Sequence, residues 1–160
     1  FAYLCLYGVA TDAVLVNRLL PEVARDGFFA KWVAREHEEM QSLEASFGVP
    51  LLRAQLRATE PIGVDALRAL SREVYGERDP AAILHRGRPL RWRRLGSATL
   101  LEIDLPNVSK EEIEVTVPGD DLHLRVRDAR RVIALPASLV GRRLTSATLR
   151  HALLEIRFRS

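Results

Sequence analysis

Lysine is nearly absent from this sequence: the basic side chains are 22 arginines and only Lys31 and Lys110. Neither lysine follows a glycine cluster, so the Gly-rich loop ending in Lys and Ser/Thr that wraps nucleotide phosphates is not present in these 160 residues. The chain alone is therefore not expected to hydrolyse a nucleoside triphosphate, and it offers no catalytic residue. Cysteine is limited to Cys5, which excludes an intrachain disulfide, fits a reducing compartment and reads as an inert core thiol. The four histidines (His37, His85, His123 and His151) lie far apart and form no i, i+4 pair, so no metal site is expected. No Ser-His-Asp or Cys-His arrangement can be argued from spacing. No apolar run approaches the roughly 20 residues of a membrane span. The apolar opening Phe1–Val9 lacks a basic leader and a cleavage pattern, so it is not read as a signal peptide. With 48% apolar residues, the expectation is a folded soluble protein, and the lone cysteine's fit to a reducing compartment makes the expected location cytoplasmic. The first residue is Phe rather than Met, and the opening reads as the middle of a helix, as in a piece of a longer chain.

Charge and periodicity divide what is present. Residues 1–79 carry 9 basic and 12 acidic side chains, a net −3, and residues 80–160 carry 15 and 9, a net +6. In the first half, Phe1–Tyr7 is apolar on every side, as in a fully buried helix, and Gly8 is its stop. Ala13–Val16 is a continuous apolar run of the kind a strand buried on both faces requires. Asp26 is a candidate cap for a helix with Phe29, Val33, Met40, Leu43 and Phe47 inward and Glu36, Glu38 and Glu39 solvated. Leu51–Leu56 follows as a second strand. A further helix has Val64, Leu67, Leu70 and Val74 on one face and Gly76 as its stop. Alternating helix and strand is α/β logic, but two parallel strands leave sheet edges and faces open. The remaining strands must come from other sequence.

Asp79-Pro80 is placed to start one short helical turn. From Leu90 the period changes from 3.6 to 2. Seven candidate strands follow: 90–95, 99–105, 113–117, 122–126, 131–135, 144–149 and 153–158. Turn signals such as Pro118-Gly119-Asp120-Asp121 separate several of them. Seven short strands in this length point to an antiparallel sandwich. Five arginines (Arg86, Arg88, Arg91, Arg93 and Arg94) flank Trp92, a composition that can bind single-stranded nucleic acid. The favoured reading is an Arg-rich linker and edge strand that resists edge pairing.

Two resemblances then enter. The stretch Leu101-Glu102-Ile103-Asp104-Leu105-Pro106-Asn107-Val108-Ser109-Lys110-Glu111-Glu112-Ile113-Glu114-Val115, with Ile133-Ala134-Leu135-Pro136 and Ala147–Ile156, resembles the α-crystallin (small heat-shock) domain. It departs from that pattern at Asn107, where Gly is usual, and at His151-Ala152, which replaces an Asn-Gly turn. Only Asp128 and Ala129 stand where oligomeric chaperones carry a long dimerisation loop. The first half, through Tyr7–Pro21, Phe28–Trp32 and Glu60–Leu67, resembles the end of the ArsA/guided-entry ATPase domain.

Together they imply an incomplete, doubly wound α/β P-loop NTPase domain (1–79), a linker (80–89) and an α-crystallin-like β-sandwich (90–160). The resemblance puts a contact to adenine on Asn17 at the end of the buried strand, with Arg18 beside it and Gln55 opening the second base-side segment. A carboxamide presents a donor and an acceptor side by side, which suits an adenine edge; a turn-capping Asn is the alternative. The resemblance also implies Mg-ATP as cofactor of the parent protein, the missing N-terminal ATPase portion as a partner, and a homodimer. The sandwich is then expected to dock a protein client or a partner. The rival expectation is a non-enzymatic holdase built on the sandwich alone.

Overall fold

The computed structural model describes residues 1–159, the side chain of Ala45 excepted. The chain divides into two compact units: Phe1–Ala10 together with Gly87–Ser160, and Thr11–Arg86.

In the Thr11–Arg86 unit, β1 (Val14–Leu19) and β2 (Leu51–Gln55) pair in parallel, Val14 opposite Leu51 and Leu15 opposite Leu52. The connection between them is helical, as parallel pairing requires. It comprises 3-10 turns at Glu22–Ala24 and Gly27–Phe29, then α2 (Ala30–Ser46). Asp26 precedes the second turn but makes no side-chain capping bond, so the helix enters through the 3-10 turn instead. Helix α3 (Val64–Tyr75) stops at Gly76, whose φ of 59° a glycine adopts without strain. The Asp79-Pro80 segment makes a single turn, Ala82 N donating to Asp79 O, rather than a regular helix. Core formation is sparse. Met40, Leu52 and Ala54 are buried, whereas Leu15 on β1 is 52% exposed and Val64 and Leu67 on α3 are 63% and 53% exposed. A parallel sheet is ordinarily covered on both faces, so an open β1 face is that of a sheet with neighbours still to be added.

The second unit is a sandwich. One sheet has the order β3-β4-β9-β8, from Leu90–Leu95, Ala98–Asp104, Leu153–Arg159 and Arg143–Arg150. The other has the order β5-β6-β7, from Ile113–Thr116, Asp121–Val126 and Ala129–Ala134. All pairings are antiparallel. Alternation aims Leu101, Ile103, Leu154, Ile156 and Phe158 from one sheet at Leu122, Leu124 and Val126 from the other, and these are essentially sealed from solvent.

Helix α1 (Ala2–Leu6) belongs to this unit rather than to the α/β unit. Leu6 is fully buried in the sandwich core. The Tyr7 hydroxyl donates to Arg130 O at 2.8 Å, the Tyr3 hydroxyl bonds the Asp128 carboxylate, and the Arg131 guanidinium bonds Leu6 O. Helix α1 is amphipathic in effect, not buried all round: Tyr3, Leu4 and Tyr7 are each more than 40% exposed. Burial pushes the Cys5 thiol pKa up, which keeps it in the unreactive protonated form. Among the described residues, no helix is long and apolar enough to cross a membrane.

Among the described residues of the sandwich, three turns hold non-glycine residues at positive φ: Asn107 at 58°, Arg127, and the His151-Ala152 pair. His151 and Ala152 link β8 to β9 with φ of 46° and 65°, both in the left-handed region. A two-residue hairpin loop with both φ positive is a type I′ turn, which favours Asn-Gly because a Cβ is disfavoured there. Replacing Ala152 by Gly is therefore expected to stabilise the sandwich by about 1 kcal/mol, read as a raised urea midpoint at unchanged slope. A lowered midpoint would contradict this account of the turn.

At the β6–β7 hairpin Arg127 has φ 56° and is held by its side chain, which bonds Glu112 at 2.7 Å and also Asn107 O. Glu112 in turn accepts from Ser109 N at 2.8 Å, completing a capping box. These bonds, the Arg127 guanidinium first, lower the Glu112 carboxyl from the ordinary 4.5 to about 2. A depressed folded value means stability that is present above pH 4.5 and lost as pH falls toward 2. Glu112→Gln is expected to flatten the stability–pH curve in that window, measured by urea unfolding at stepped pH. An unchanged slope would remove the Glu112 contribution.

Candidate functional site

The C-terminal end of β1 is irregular. Val16 pairs with Arg53 and Leu19 with Gln55, so Asn17 and Arg18 together face one residue of β2 and bulge from the ladder. Arg18 adopts φ 62°, and its N–H donates to the Asn17 Oδ1 at 2.8 Å. Bulges re-aim side chains at sheet ends. Here the bulge turns Asn17 and Arg18 toward a cleft of about 340 Å³, which Gln55, Leu56, Arg57, Pro61 and Leu70 also line. All three residues singled out in the sequence thus border one cavity, at the carboxyl ends of two parallel strands where open α/β sheets bind ligands. With Asn17 Oδ1 occupied by the backbone, its amide N–H₂ is left to donate. The Gln55 carboxamide makes no hydrogen bond among the described residues. Leu56, Pro61 and Leu70 supply apolar wall.

Glu73 on α3 braces this rim, and sequence reasoning missed it. Its carboxylate accepts from Gln55 N at 2.6 Å and pairs with the Arg57 guanidinium. The Arg57 Nε is buried and without a hydrogen-bond partner. An acidic residue three positions after Leu70, near the apolar stripe of α3, was the available signal. Glu36 is also not purely solvated: it accepts from Leu20 N at 2.8 Å, fixing the chain just past β1.

The Arg-rich stretch of β3 serves the sandwich itself. Arg91 and Arg93 each hold one oxygen of Glu102, at 2.7 and 2.8 Å, and Glu102 is nearly buried. Trp92 turns inward and packs against Phe158, ring centroids 6.1 Å apart, as a partly buried member of the sandwich core. Among the described residues, no group of three His, Cys, Asp or Glu side chains is placed to hold a metal ion.

Two family models match the chain. An anion-transporting ATPase model covers residues 1–76, and a model described as an HSP20-like domain found in ArsA covers residues 96–158. Proteins named "Putative arsenical pump-driving ATPase" from Chlorobaculum tepidum and Prosthecochloris vibrioformis are 30% and 31% identical over 98% of this chain. The chain spans 39% of the length of these relatives. Among solved structures, hsp14.1 from Sulfolobus solfatataricus P2 (a Del-C4 mutant) is 19% identical with a TM-score of 0.39, covering 44% of this chain and 73% of that one. The hspA of Xanthomonas axonopodis is 24% identical with a TM-score of 0.37, covering 44% and 90%. With the two models accounting for both halves in order, the chain belongs to the ArsA-type anion-transporting ATPases that carry an HSP20-like domain.

Proposed function

We propose that residues 11–86 form the base-side wall of an ATP site whose phosphate- and Mg-binding parts lie on segments outside these 160 residues. The observation that carries this reading is the convergence of Asn17, Arg18 and Gln55 on one cleft at the strand ends. The donor set fits a purine: a free amide N–H₂ on Asn17, an unoccupied carboxamide on Gln55, and apolar side chains for the ring faces. Asn17 and Gln55 would hold the base edge, and Arg18 would lie near the ribose side. When bound, ATP supplies the phosphoryl group whose transfer drives such ATPases. The chain's own residues orient the base and exclude water from it. The sandwich acts in this reading as a docking module for a partner or client.

The test is adenosine titration of the chain, followed by backbone amide shifts. Shifts at Asn17, Arg18 and Gln55 are expected to saturate in the millimolar range. Asn17→Ala is expected to weaken the interaction about 5- to 100-fold, the worth of a lost buried hydrogen bond with its desolvation. Inosine, which lacks the exocyclic amine, is expected to bind more weakly. Equal shifts with adenosine and inosine, or none at these amides, would sink the base-binding reading.

A further inference from the structure

The outer face of the four-stranded sheet ends in an arginine recess that neither the nucleotide reading nor the core explains. Register places Arg143 of β8 directly opposite Arg159 of β9, and Ser146 opposite Arg157. Strand alternation sends Leu154, Ile156 and Phe158 inward, so Arg157 and Arg159 stand together on the outer face. Between Leu144 and Ser146 the ladder slips by one residue, and the extra residue is Thr145. That bulge brings Thr145 to the same recess of about 260 Å³ as Arg157, Arg159, Ser97 and Ala98.

Like charges directly opposite across a strand pair are destabilising. Arginine also faces arginine at Arg125 and Arg130, but there Glu114 pairs with Arg125, whereas no carboxylate stands at the recess among the described residues. Five other arginines show what such a residue does when a partner is near: Arg91 and Arg93 pair with Glu102, Arg125 with Glu114, Arg127 with Glu112, while Arg131 bonds Leu6 O. Among the described residues, Arg143, Arg157 and Arg159 have no carboxylate partner. The hollow is smaller than the roughly 300–1,000 Å³ of pockets for drug-sized molecules. Planar guanidinium forks beside a hydroxyl suit a tetrahedral oxyanion, which accepts several charge-assisted hydrogen bonds at once.

We infer that the recess formed by Thr145, Arg157 and Arg159, with Arg143 at its border, binds a phosphate- or sulfate-type oxyanion. The anion relieves the repulsion between Arg143 and Arg159 and ties β8 to β9 beyond their backbone ladder. It enters either as the free ion or as a monoester of a small molecule.

The experiment titrates the chain with inorganic phosphate and, separately, with phenyl phosphate. Ionic strength is held constant with chloride, because exposed charges are otherwise screened. Amides of Ala98, Thr145, Arg157 and Arg159 are expected to shift and saturate at about 1–10 mM ligand. Arg157→Gln/Arg159→Gln is expected to weaken the interaction at least about tenfold. Arg130→Gln, on the other sheet, is expected to leave it unchanged. Should the double variant lose amide dispersion, Arg159→Gln alone, at an exposed position, carries the comparison. Tenfold tighter phenyl phosphate assigns the site to an ester, and parity assigns it to the free ion. Neither ligand shifting these amides, or equal shifts in the arginine variants, would overturn the site.

Discussion

Truncating Leu6 to Ala is expected to cost the sandwich about 2–5 kcal/mol of unfolding free energy, the usual toll of a large-to-small change at a sealed core position. Leu6 is 0% exposed and belongs to a core built from residues of β4, β6 and β9 together with Leu105, Val108, Leu135 and Leu139. Its helix is too short to persist on its own, so its order derives from this docking. The bonds from Tyr7 to Arg130 O and from Arg131 to Leu6 O fix the helix but are partly exposed, and removing either is expected to cost far less. The measurement is urea unfolding followed by Trp92 fluorescence in a Trp32→Phe background, so that the reporter sits against Phe158 within the sandwich. A Leu6→Ala midpoint equal to that of the parent would mean that α1 is not part of the sandwich core.

Removing both guanidiniums that serve Glu102, as Arg91→Met/Arg93→Met, is expected to destabilise the sandwich by about 3–5 kcal/mol. The side chain of Glu102 is only 6% exposed, with one oxygen on each arginine. Without them a carboxylate remains desolvated and uncompensated, and Arg91 also loses its longer contact to Asp104 at 3.4 Å. The reverse change, Glu102→Ala, is expected to cost less, because Arg91 and Arg93 are 41% and 55% exposed and can rehydrate. Adding Glu102→Leu to the double variant should recover most of the loss, since a well-packed apolar group can replace a buried ion pair at little cost. A triple variant no more stable than the double would show that the arginine stems, not the charge, hold this face together.

Much of the sandwich was legible because its signals are local. Alternation in Ile113–Val117 and Leu122–Val126 predicted β5 and β6 to within a residue. The stop at Gly76 and the apolar stripe of Val64, Leu67, Leu70 and Val74 predicted α3. Contacts far apart in sequence were not legible. Periodicity shows that Phe1–Tyr7 wants burial, but not which core receives it, and it overstated how much of that segment is enclosed. The Asn17–Arg18 bulge escaped because a register slip depends on the partner strand. The cleft residues themselves came from family resemblance and not from spacing: nothing in an isolated Asn-Arg pair distinguishes a base contact from a turn. Glu73 and Glu36 reach backbone N–H groups 18 and 16 residues away, beyond any local pattern.

Because α1 and the strands from residue 87 onward share one folded body, the sandwich works as a clasp on the intervening chain. Gly8 lies against Leu90, so the polypeptide leaves this body and re-enters it at neighbouring points. Snapping the clasp shut around a floppy Thr11–Arg86 costs about 4 kcal/mol of loop-closure entropy. Within Thr11–Arg86, His85 N donates to Asp12 Oδ1 at 2.7 Å, so the ordered segment already brings its own two ends together and removes part of that cost. Ligands that firm up the interior of the insert would thereby tighten the clasp, and loosening α1 would soften the insert in return.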